Sequence, residues 1–474
     1  MSIILLVSNN LTMFPPATFR DRRRRLSKDV GSGLILFLGN DEVGMNYTAN
    51  TYPFRQDSSF LYFWNVDQPG LAAVIDVDSG KETLFGDDVS IADVVWSGPQ
   101  PSIAVRAAQG AISATAPAAA LAEHVAVAVQ KGRPVHFLAP YRGDHTVKLA
   151  ALLGVAPAAV KEKRSAPLHQ AVAAQRLYKS PEEVEDIELA VDVSREMYAA
   201  AMLAAEPGKQ EHEIVAEIAR VVTARGCSCA FPPICSVHGE TLHNPFYRNT
   251  LQAGGWMVLD SGVETPSHYA SDITRTIPVS GTFSSQQRAI YEAVLRAQTG
   301  AIAAVRPGVP YRDVHLGAAK SFVNDLTALG LMKGDADEAV AAGAHALFFP
   351  HGLGHMMGLD VHDMENLGED IVGYSPGEQR SAQFGLSYLR LARRLEAGFV
   401  ITVEPGCYFI PALIDAWKAE GRHTAFINYA EVEKFRDARG CRIEDDVLVT
   451  LTGGRVLGPA IPKTIADVEA ACRP

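Results

Sequence analysis

Three histidines lie close together in residues 349–363, which read FPHGLGHMMGLDVHD. His351 and His355 are four positions apart, and His362 follows His355 seven positions later. Imidazole transfers protons near neutral pH and is also a common metal ligand. The glycines between the histidines allow a ligand or another backbone segment to come close. The pattern therefore indicates either a catalytic or metal site, or buried structural histidines beside glycine turns.

Four acidic residues stand in strand-like, otherwise apolar stretches of the second half of the chain. They are Asp260 in MVLDSG, Asp272 in YASDIT, Glu404 in FVITVEPG and Glu444 in RIEDDVLV. A carboxylate buried in such a stretch is costly unless it is paired, protonated or bound to a metal. Any one of them could be an exposed strand end, but all four beside a histidine-rich segment predict a common site.

Carboxylates held this close would repel one another, and two divalent cations would balance the charge of four of them. Several carboxylates with one imidazole form a hard, oxygen-rich ligand set, which favours manganese or cobalt, with zinc as a further possibility. Paired metal ions of this kind activate water for hydrolysis. No Gly-x-Ser-x-Gly elbow or P-loop follows a predicted strand, since the Gly-x-Ser-x-Gly pattern at residues 373–377 (GYSPG) lies in the connection after the histidine-rich segment, so serine-hydrolase and nucleotide chemistry lack support.

The elements that must carry these residues fall into two parts. Strand and helix patterns alternate from residue 33 to about residue 165, which predicts an α/β domain over residues 1–175. Within it, residues 104–130 are rich in alanine and valine and are predicted to be helical. The basic run at residues 20–25 (RDRRRR) is predicted to be the solvated face of an N-terminal helix.

Residues 176–474 are predicted to form an α+β domain, with a curved sheet inside and long helices outside. Ser180 and Pro181 are a strong helix start, which predicts a helix that runs to about Leu203. Further helices are predicted at residues 211–225, 285–305, 311–330 and 334–344.

The composition limits the classes of partner. The chain has 474 residues, 47% of them hydrophobic, and a net charge of −11, so neither nucleic acid nor an anionic membrane is an expected partner. Six cysteines are too few for a disulfide scaffold. Residues 2–7 include only five consecutive apolar residues and no basic segment, so we expect neither a signal peptide nor a membrane span, and a cytoplasmic location.

Five stretches together carry a resemblance to a known family. They are LDSGVE, YASDITRTIPVSG, FPHGLGHMMGLDVHD, ITVEPGCYF and RIEDDVLVT. They resemble the dinuclear-metal, pita-bread metallopeptidases (family M24), and are most similar to the aminopeptidase P and prolidase branch. The resemblance covers about residues 176–474, and YPFRQDSSFLYF with AVIDVDSGKETLF resembles this branch's N-terminal domain. It implies a homo-oligomeric enzyme, a dimer or tetramer, that cleaves Xaa–Pro bonds with a hydroxide activated by two metal ions.

The resemblance also implies how the metal ligands are shared. Asp260 would chelate one ion, and Asp272 and Glu444 would bridge both. His355 and Glu404 would complete the second ion, and Glu404 would also accept the proton of the attacking water.

Other residues are implied to contact the substrate. His243 would steady the substrate or the tetrahedral intermediate, His362 would face the scissile carbonyl, and His351 would line the proline-side pocket. Arg442 lies two positions before Glu444 on a predicted strand, so both side chains should point into the same cavity.

Two departures from the family pattern affect these expectations. Asp260 and Asp272 are twelve positions apart, one more than in the commoner pattern, and the extra residue is expected in the turn at residues 265–268. The connection over residues 365–394 is longer than in the minimal aminopeptidases and contains LRLAR. This motif is similar to a prolidase segment whose arginine binds the dipeptide carboxylate. Arg390 would have that role unless it is a helix-surface arginine.

The leading interpretation is an Xaa-Pro aminopeptidase, and the nearest alternative is an Xaa-Pro dipeptidase (prolidase) that uses Arg390. Methionine aminopeptidases resemble only the second half of the chain, and a creatinase-like enzyme would not keep all five ligands. A non-catalytic pita-bread module that binds proteins is a remote alternative, because such relatives lose the ligands.

Overall fold

The computed structural model describes residues 14–473, so residues 2–7 lie outside the described part. The chain divides into two compact units: Met1–Arg176 with Glu365–Ile371, and Leu177–Met364 with Val372–Pro474. Within residues 14–473, none of the helices combines the length and apolar composition needed to span a membrane.

The first unit is an α/β domain, as expected. Its strands are β1 (Leu34–Leu38), β2 (Gly44–Tyr47), β3 (Asn50–Thr51), β4 (Ala72–Asp76), β5 (Lys81–Phe85), β6 (Thr115–Ala116) and β7 (Val135–His136). Its helices are α1 (Pro16–Val30), α2 (Ser58–Trp64), α3 (Ile91–Ser97), α4 (Ile103–Gln109), α5 (Ala120–Gln130), α6 (Gly143–Leu153) and α7 (Ala166–Arg176). Five strands form a mixed sheet in the order β6-β5-β4-β1-β7. Alternate apolar residues of β1 pack into one core with α5 and α6.

Two local predictions for this unit are wrong. Residues 104–130 do not form one helix, because α4 ends before Gly110 and β6 separates it from α5. A Cβ at Gly110 would collide with the carbonyl oxygen of Trp64, so this close backbone contact requires glycine. The basic run is only partly solvated, since Arg22 and Arg23 are 2% and 0% exposed.

The second unit is an α+β domain, also as expected. Its strands are β8 (Ser228–Cys229), β9 (Ile234–Ser236), β10 (Trp256–Ser261), β11 (Val263–Glu264), β12 (Ile273–Pro278), β13 (Val400–Val403), β14 (Gly406–Tyr408), β15 (Gly440–Arg442), β16 (Asp445–Val449) and β17 (Gly454–Val456). The remaining helices of the chain are α8 (Pro181–Ala204), α9 (Glu211–Ala224), α10 (Ser285–Ala304), α11 (Tyr311–Ala328), α12 (Ala336–Ala342), α13 (Glu369–Val372), α14 (Pro411–Ala419), α15 (Tyr429–Val432) and α16 (Ile465–Ala471).

The helix start at Ser180 is confirmed. The Ser180 hydroxyl accepts a hydrogen bond from the Glu183 N–H, and the Glu183 carboxylate accepts one from the Ser180 N–H at 2.8 Å. Pro181 occupies the first helical position, where its missing N–H costs nothing. These contacts are local in sequence, which explains why the pattern predicted α8 well.

The central strands bring distant segments of the chain together. The sheets β12-β10-β9 and β13-β16-β17 are joined by an isolated bridge between Thr274 and Glu444. The pairing of β10 with β12 is uninterrupted from Trp256 to Ser261, so the extra residue between the two aspartates does not lie within these strands. The segment between the two strands includes a turn at residues 265–268, with a positive φ of 71° at His268, so the expected place for the extra residue stays a prediction that this backbone allows.

Candidate active site

Asp260 and Asp272 are positioned by one pair of antiparallel strands. Asp260 lies in β10 directly opposite Thr274 of β12. Asp272 lies two residues before Thr274, so its side chain is on the same face of the sheet. The backbone N–H of Asp272 donates to the carboxylate of Asp446 at 3.0 Å, which fixes the entry into β12.

Glu404 and Glu444 come from the neighbouring strands. Glu404 directly follows β13, and its N–H donates to the carbonyl of Leu353 at 2.8 Å. Glu444 lies between β15 and β16, and one of its oxygens accepts a 2.6 Å hydrogen bond from the Thr274 hydroxyl. Thr274 therefore ties the strand that carries the aspartates to Glu444.

His355 is buried and faces these acids. Its Nδ1 lies 3.0 Å from the carbonyl oxygen of Met356, which places the ring proton on Nδ1 and leaves the Nε2 lone pair for a ligand. Nε2 is 3.4 Å from Asp272 and 3.7 Å from Glu404. A Cβ at Gly354 would collide with the carbonyl of Thr402, so glycine is needed beside the histidine.

The donor atoms fit a divalent cation. Asp272, His355 and Glu444 each offer a ligand atom, and these atoms lie within 4.8 Å of one another. Within the described residues, one buried oxygen of each of Asp260, Asp272 and Glu444 has no hydrogen-bond partner. Buried charged oxygens without partners are strongly disfavoured unless a cation satisfies them.

The pKa values of these carboxyl groups support the same interpretation. Burial, and then the neighbouring acids, raise the pKa values of Asp272 and Glu444 well above their usual range. Burial is also the main cause that raises the pKa of Glu404 to about 7. The metal-free site should therefore hold protons that bound cations would displace.

This shift gives a testable dependence of stability on pH. Between pH 4.5 and about 7, Glu404 keeps its proton in the folded state but loses it in the unfolded chain, so its contribution to stability falls as pH rises. In metal-free protein, Glu404→Gln removes this titration. We expect the melting temperature of the variant minus that of the unsubstituted protein to be larger at pH 8 than at pH 6, measured by calorimetry. An equal difference at both pH values would contradict the raised pKa.

Arg442 connects the proposed metal ligands to Tyr408 and, through it, to His351. Its guanidinium donates to Asp260 at 2.6 Å, to the Thr274 hydroxyl at 3.1 Å and to the Tyr408 hydroxyl at 2.8 Å. Tyr408 is 2.9 Å from Nε2 of His351. The structure thus brings Arg442 and Glu444 together around Thr274.

His351 is held as a neutral ring. Its Nδ1 lies 2.8 Å from the carbonyl oxygen of Gly352, so its Nε2 accepts the proton of the Tyr408 hydroxyl. Burial, and then the positive charge of Arg442, lower the pKa of His351 to about 3. A neutral imidazole ring can pack against an apolar part of a ligand.

His362 and His243 are the next two residues predicted for the site. The rings of His362 and His355 are in edge-to-face contact with centroids 4.3 Å apart. His243 lies on an exposed loop, and its pKa is lowered by partial burial and then by Arg442, with smaller effects of Arg390 and His362.

Arg390 is not on a helix surface, so that alternative is wrong. It lies in an irregular, half-buried segment after a short 3-10 turn, Leu386–Tyr388. The backbone of this segment packs against Gly352, where a Cβ would be 3.6 Å from the Arg390 nitrogen. The positive charge of Arg390 is also one of the smaller causes that lower the pKa of His243.

Sequence reasoning missed Tyr408, Thr274 and Asp446. Tyr408 could have been found, because it shares the two-residue period of Glu404 and lies within the quoted ITVEPGCYF. The roles of Thr274 and Asp446 depend on pairing between distant strands, which no local pattern indicates.

Comparisons with known proteins identify the family to which the chain belongs. A model described as "Metallopeptidase family M24" matches residues 185–451, and one described as "Aminopeptidase P, N-terminal domain" matches residues 19–136. The Xaa-Pro dipeptidase of Homo sapiens is 32% identical over 485 residues, covering 98% of this chain and 95% of that protein. A "Probable Xaa-Pro aminopeptidase" of Fusarium vanettenii is 33% identical over 423 residues, covering 88% and 87%.

Solved structures of aminopeptidase P have the same fold as this chain. A substituted Escherichia coli aminopeptidase P in complex with substrate has a TM-score of 0.80 and 27% identity, covering 97% of this chain and 99% of that one. The Pseudomonas aeruginosa aminopeptidase PepP has a TM-score of 0.78 and 27% identity, covering 97% and 98%.

The fold and the site define a pita-bread hydrolase that depends on divalent metal ions, and the chain belongs to metallopeptidase family M24. Within that family it is an Xaa-Pro exopeptidase, like the relatives named Xaa-Pro dipeptidase and Xaa-Pro aminopeptidase. The aminopeptidase and the dipeptidase interpretations both fit the relatives.

Proposed function

We propose that this enzyme prefers Xaa-Pro dipeptides to longer peptides. The observation that supports the proposal is the position of Arg390, whose backbone packs beside Gly352 and whose charge contributes to the lowered pKa of His243. A dipeptide ends in a carboxylate next to the proline ring, whereas a longer peptide has a neutral amide there. A guanidinium that binds this carboxylate forms a charge-assisted hydrogen bond worth roughly 1.5–3 kcal/mol.

We further propose that Asp260, Asp272, His355, Glu404 and Glu444 hold two divalent ions. Manganese is the expected metal, with cobalt or zinc as alternatives, because the set contains four carboxylates and one imidazole. Such ions would supply Lewis-acid polarisation of the scissile carbonyl and acidify a water molecule.

The side chains of the chain itself would then complete the reaction. Glu404 accepts a proton from the attacking water and passes it to the proline nitrogen as the C–N bond breaks. His362 donates a hydrogen bond to the scissile carbonyl oxygen, and His243 steadies the tetrahedral intermediate. His351 lines the proline ring, while Arg442 holds Asp260 in place.

Arg390→Ala tests the substrate preference. We expect kcat/KM for Xaa-Pro to fall about tenfold to a hundredfold, and kcat/KM for Xaa-Pro-Yaa to change little, because only the dipeptide presents a carboxylate. Arg394→Ala is the matched control, since Arg394 is exposed and bonds to the carbonyl of Gly308. Equal losses for both substrates, or none, would contradict the proposal.

The second candidate is an Xaa-Pro aminopeptidase that prefers longer peptides. It is favoured by the likeness of nearly the whole chain to solved aminopeptidase P structures. In this case Xaa-Pro-Yaa would be the better substrate of the unsubstituted enzyme.

We also propose a cytoplasmic homo-oligomer, a dimer or tetramer. Helix α3 supports the oligomer, because Ile91, Val95 and Trp96 are 82%, 76% and 88% exposed, and exposed apolar patches commonly mark interfaces. The six cysteines are free thiols, as is usual in reducing compartments. Sedimentation as a single 51.0 kDa species would contradict the oligomer.

A further inference from the structure

A buried ion pair lies behind the histidine-rich segment. The Lys179 ammonium is 2.8 Å from the Asp363 carboxylate, and the two side chains are only 2% and 1% exposed. Desolvating both charges offsets much of their attraction, so stability alone is a weak reason for such a pair. The other contacts of the two residues indicate what the pair holds in place.

Asp363 is the centre of a compact turn. Its backbone N–H donates to the carbonyl of Met356 at 2.8 Å, and its carboxylate accepts from the Asp360 N–H at 3.3 Å. A Cβ at Gly358 would lie 2.8 Å from both the Asp363 carboxylate and the Lys179 Cε. The turn therefore closes tightly around the ion pair.

This turn connects two histidines of the site. His355 lies directly before Met356, and His362 lies directly before Asp363. Since Asp363 is fixed to Met356 and to Lys179, the backbone on both sides of the contact between the two histidine rings is fixed. The rings meet edge to face with centroids 4.3 Å apart.

Lys179 is itself firmly held. Its N–H donates to the carbonyl of Gly398 at 2.8 Å, and it directly precedes Ser180, which caps α8. The ammonium therefore extends from the start of a long helix to the turn. A flexible surface lysine could not supply such a fixed point.

We propose that Lys179 is a positioning residue for His362 and acts through Asp363. The proposal rests on the function proposed above, in which His362 contacts the scissile carbonyl. A misplacement of a contacting group by about 1 Å can cost roughly a hundredfold in rate. No proton or electron moves through Lys179, because its role is to fix the geometry of the turn.

A double-mutant cycle in the metal-loaded enzyme tests this role. We expect Lys179→Met to lower kcat for Xaa-Pro about tenfold to a hundredfold, with little change in KM. The same substitution in an His362→Ala background should cause no further loss, because the residue that Lys179 positions is already absent. Lys179→Arg, which keeps the charge, should retain more activity than Lys179→Met.

Lys320→Met is the control, because Lys320 forms a 2.7 Å ion pair with Asp337 but is 46% exposed. If Lys179→Met folds poorly, Lys179→Met with Asp363→Asn removes both buried charges. This double variant should recover melting temperature but not kcat.

The inference would be overturned if the losses of kcat caused by Lys179→Met and by His362→Ala multiplied when the two substitutions were combined. It would also be overturned if Lys179→Met with Asp363→Asn kept the kcat of the unsubstituted enzyme. Failure of the proposed function itself would look different, since the unsubstituted, metal-loaded enzyme would then hydrolyse no Xaa-Pro substrate.

Discussion

Replacing Glu444 by alanine should abolish hydrolysis of Xaa-Pro substrates while the fold persists. Glu444 is 1% exposed, one of its oxygens has no hydrogen-bond partner, and the residue belongs to the same donor cluster as Asp272 and His355. Loss of a shared ligand should remove several kcal/mol of transition-state stabilisation, so we expect kcat/KM to fall about a thousandfold or more. Steady-state kinetics with added manganese measure this loss.

Substitution of Glu444 should also change the stability of the protein differently with and without metal. Without metal, burial and then the charge of Asp272 raise the pKa of Glu444, so removal of this acid removes a buried group that Asp272 repels. We therefore expect Glu444→Gln, which keeps the side-chain volume, to be at least as stable as the unsubstituted protein without metal, but to gain less melting temperature from manganese. Glu185→Ala, on the exposed side of α8, is the control. Full activity of Glu444→Ala after treatment with a chelator would contradict the role of this residue.

The parts of the fold that the sequence predicted best are those set by local contacts. The capping pair of Ser180 and Glu183, with Pro181 at the first helical position, lies within four residues. The acids at strand ends and the glycine-rich histidine segment are likewise visible locally, because an acid in an apolar strand is unusual. That these acids and histidines form one site could be inferred only because a buried charge needs an ion pair or a metal ion.

The errors arose where distant segments decide the structure. Arg23 appeared to be solvated, but its guanidinium bonds to the carbonyls of Phe63 and Gly110, 40 and 87 positions away. Phe63 lies in the last turn of α2, where carbonyl groups lack helical partners. The same contact region requires Gly110 and breaks the predicted helix over residues 104–130.

The segment around Arg390 is a third place where the sequence alone did not predict the local structure. Its neighbours in sequence are compatible with a helix, yet the segment is irregular because it packs against Gly352 beside His351. Motif similarity predicts a substrate-binding role for Arg390, and periodicity alone did not predict the irregular backbone on which it lies. The choice between the two exopeptidase activities therefore depends on the Arg390→Ala experiment.

Removal of the metal ions should have the largest effect of all. The five proposed ligands include four carboxylates, and two of these, Asp272 and Glu444, lie in one buried donor cluster with His355. The proposed mechanism uses no serine or cysteine nucleophile that could act without cations. Complete chelation should therefore abolish hydrolysis of both Xaa-Pro and Xaa-Pro-Yaa. It should also lower the melting temperature, because the ions bind only to the folded site.

The most direct test of the central claim is a manganese titration of the chelated enzyme, in which bound metal and Xaa-Pro hydrolysis are measured on the same samples. We expect no turnover without metal and full activity at two bound ions per chain. Turnover that persists in samples shown to be free of metal, or a fully loaded protein that cleaves no Xaa–Pro bond, would contradict it.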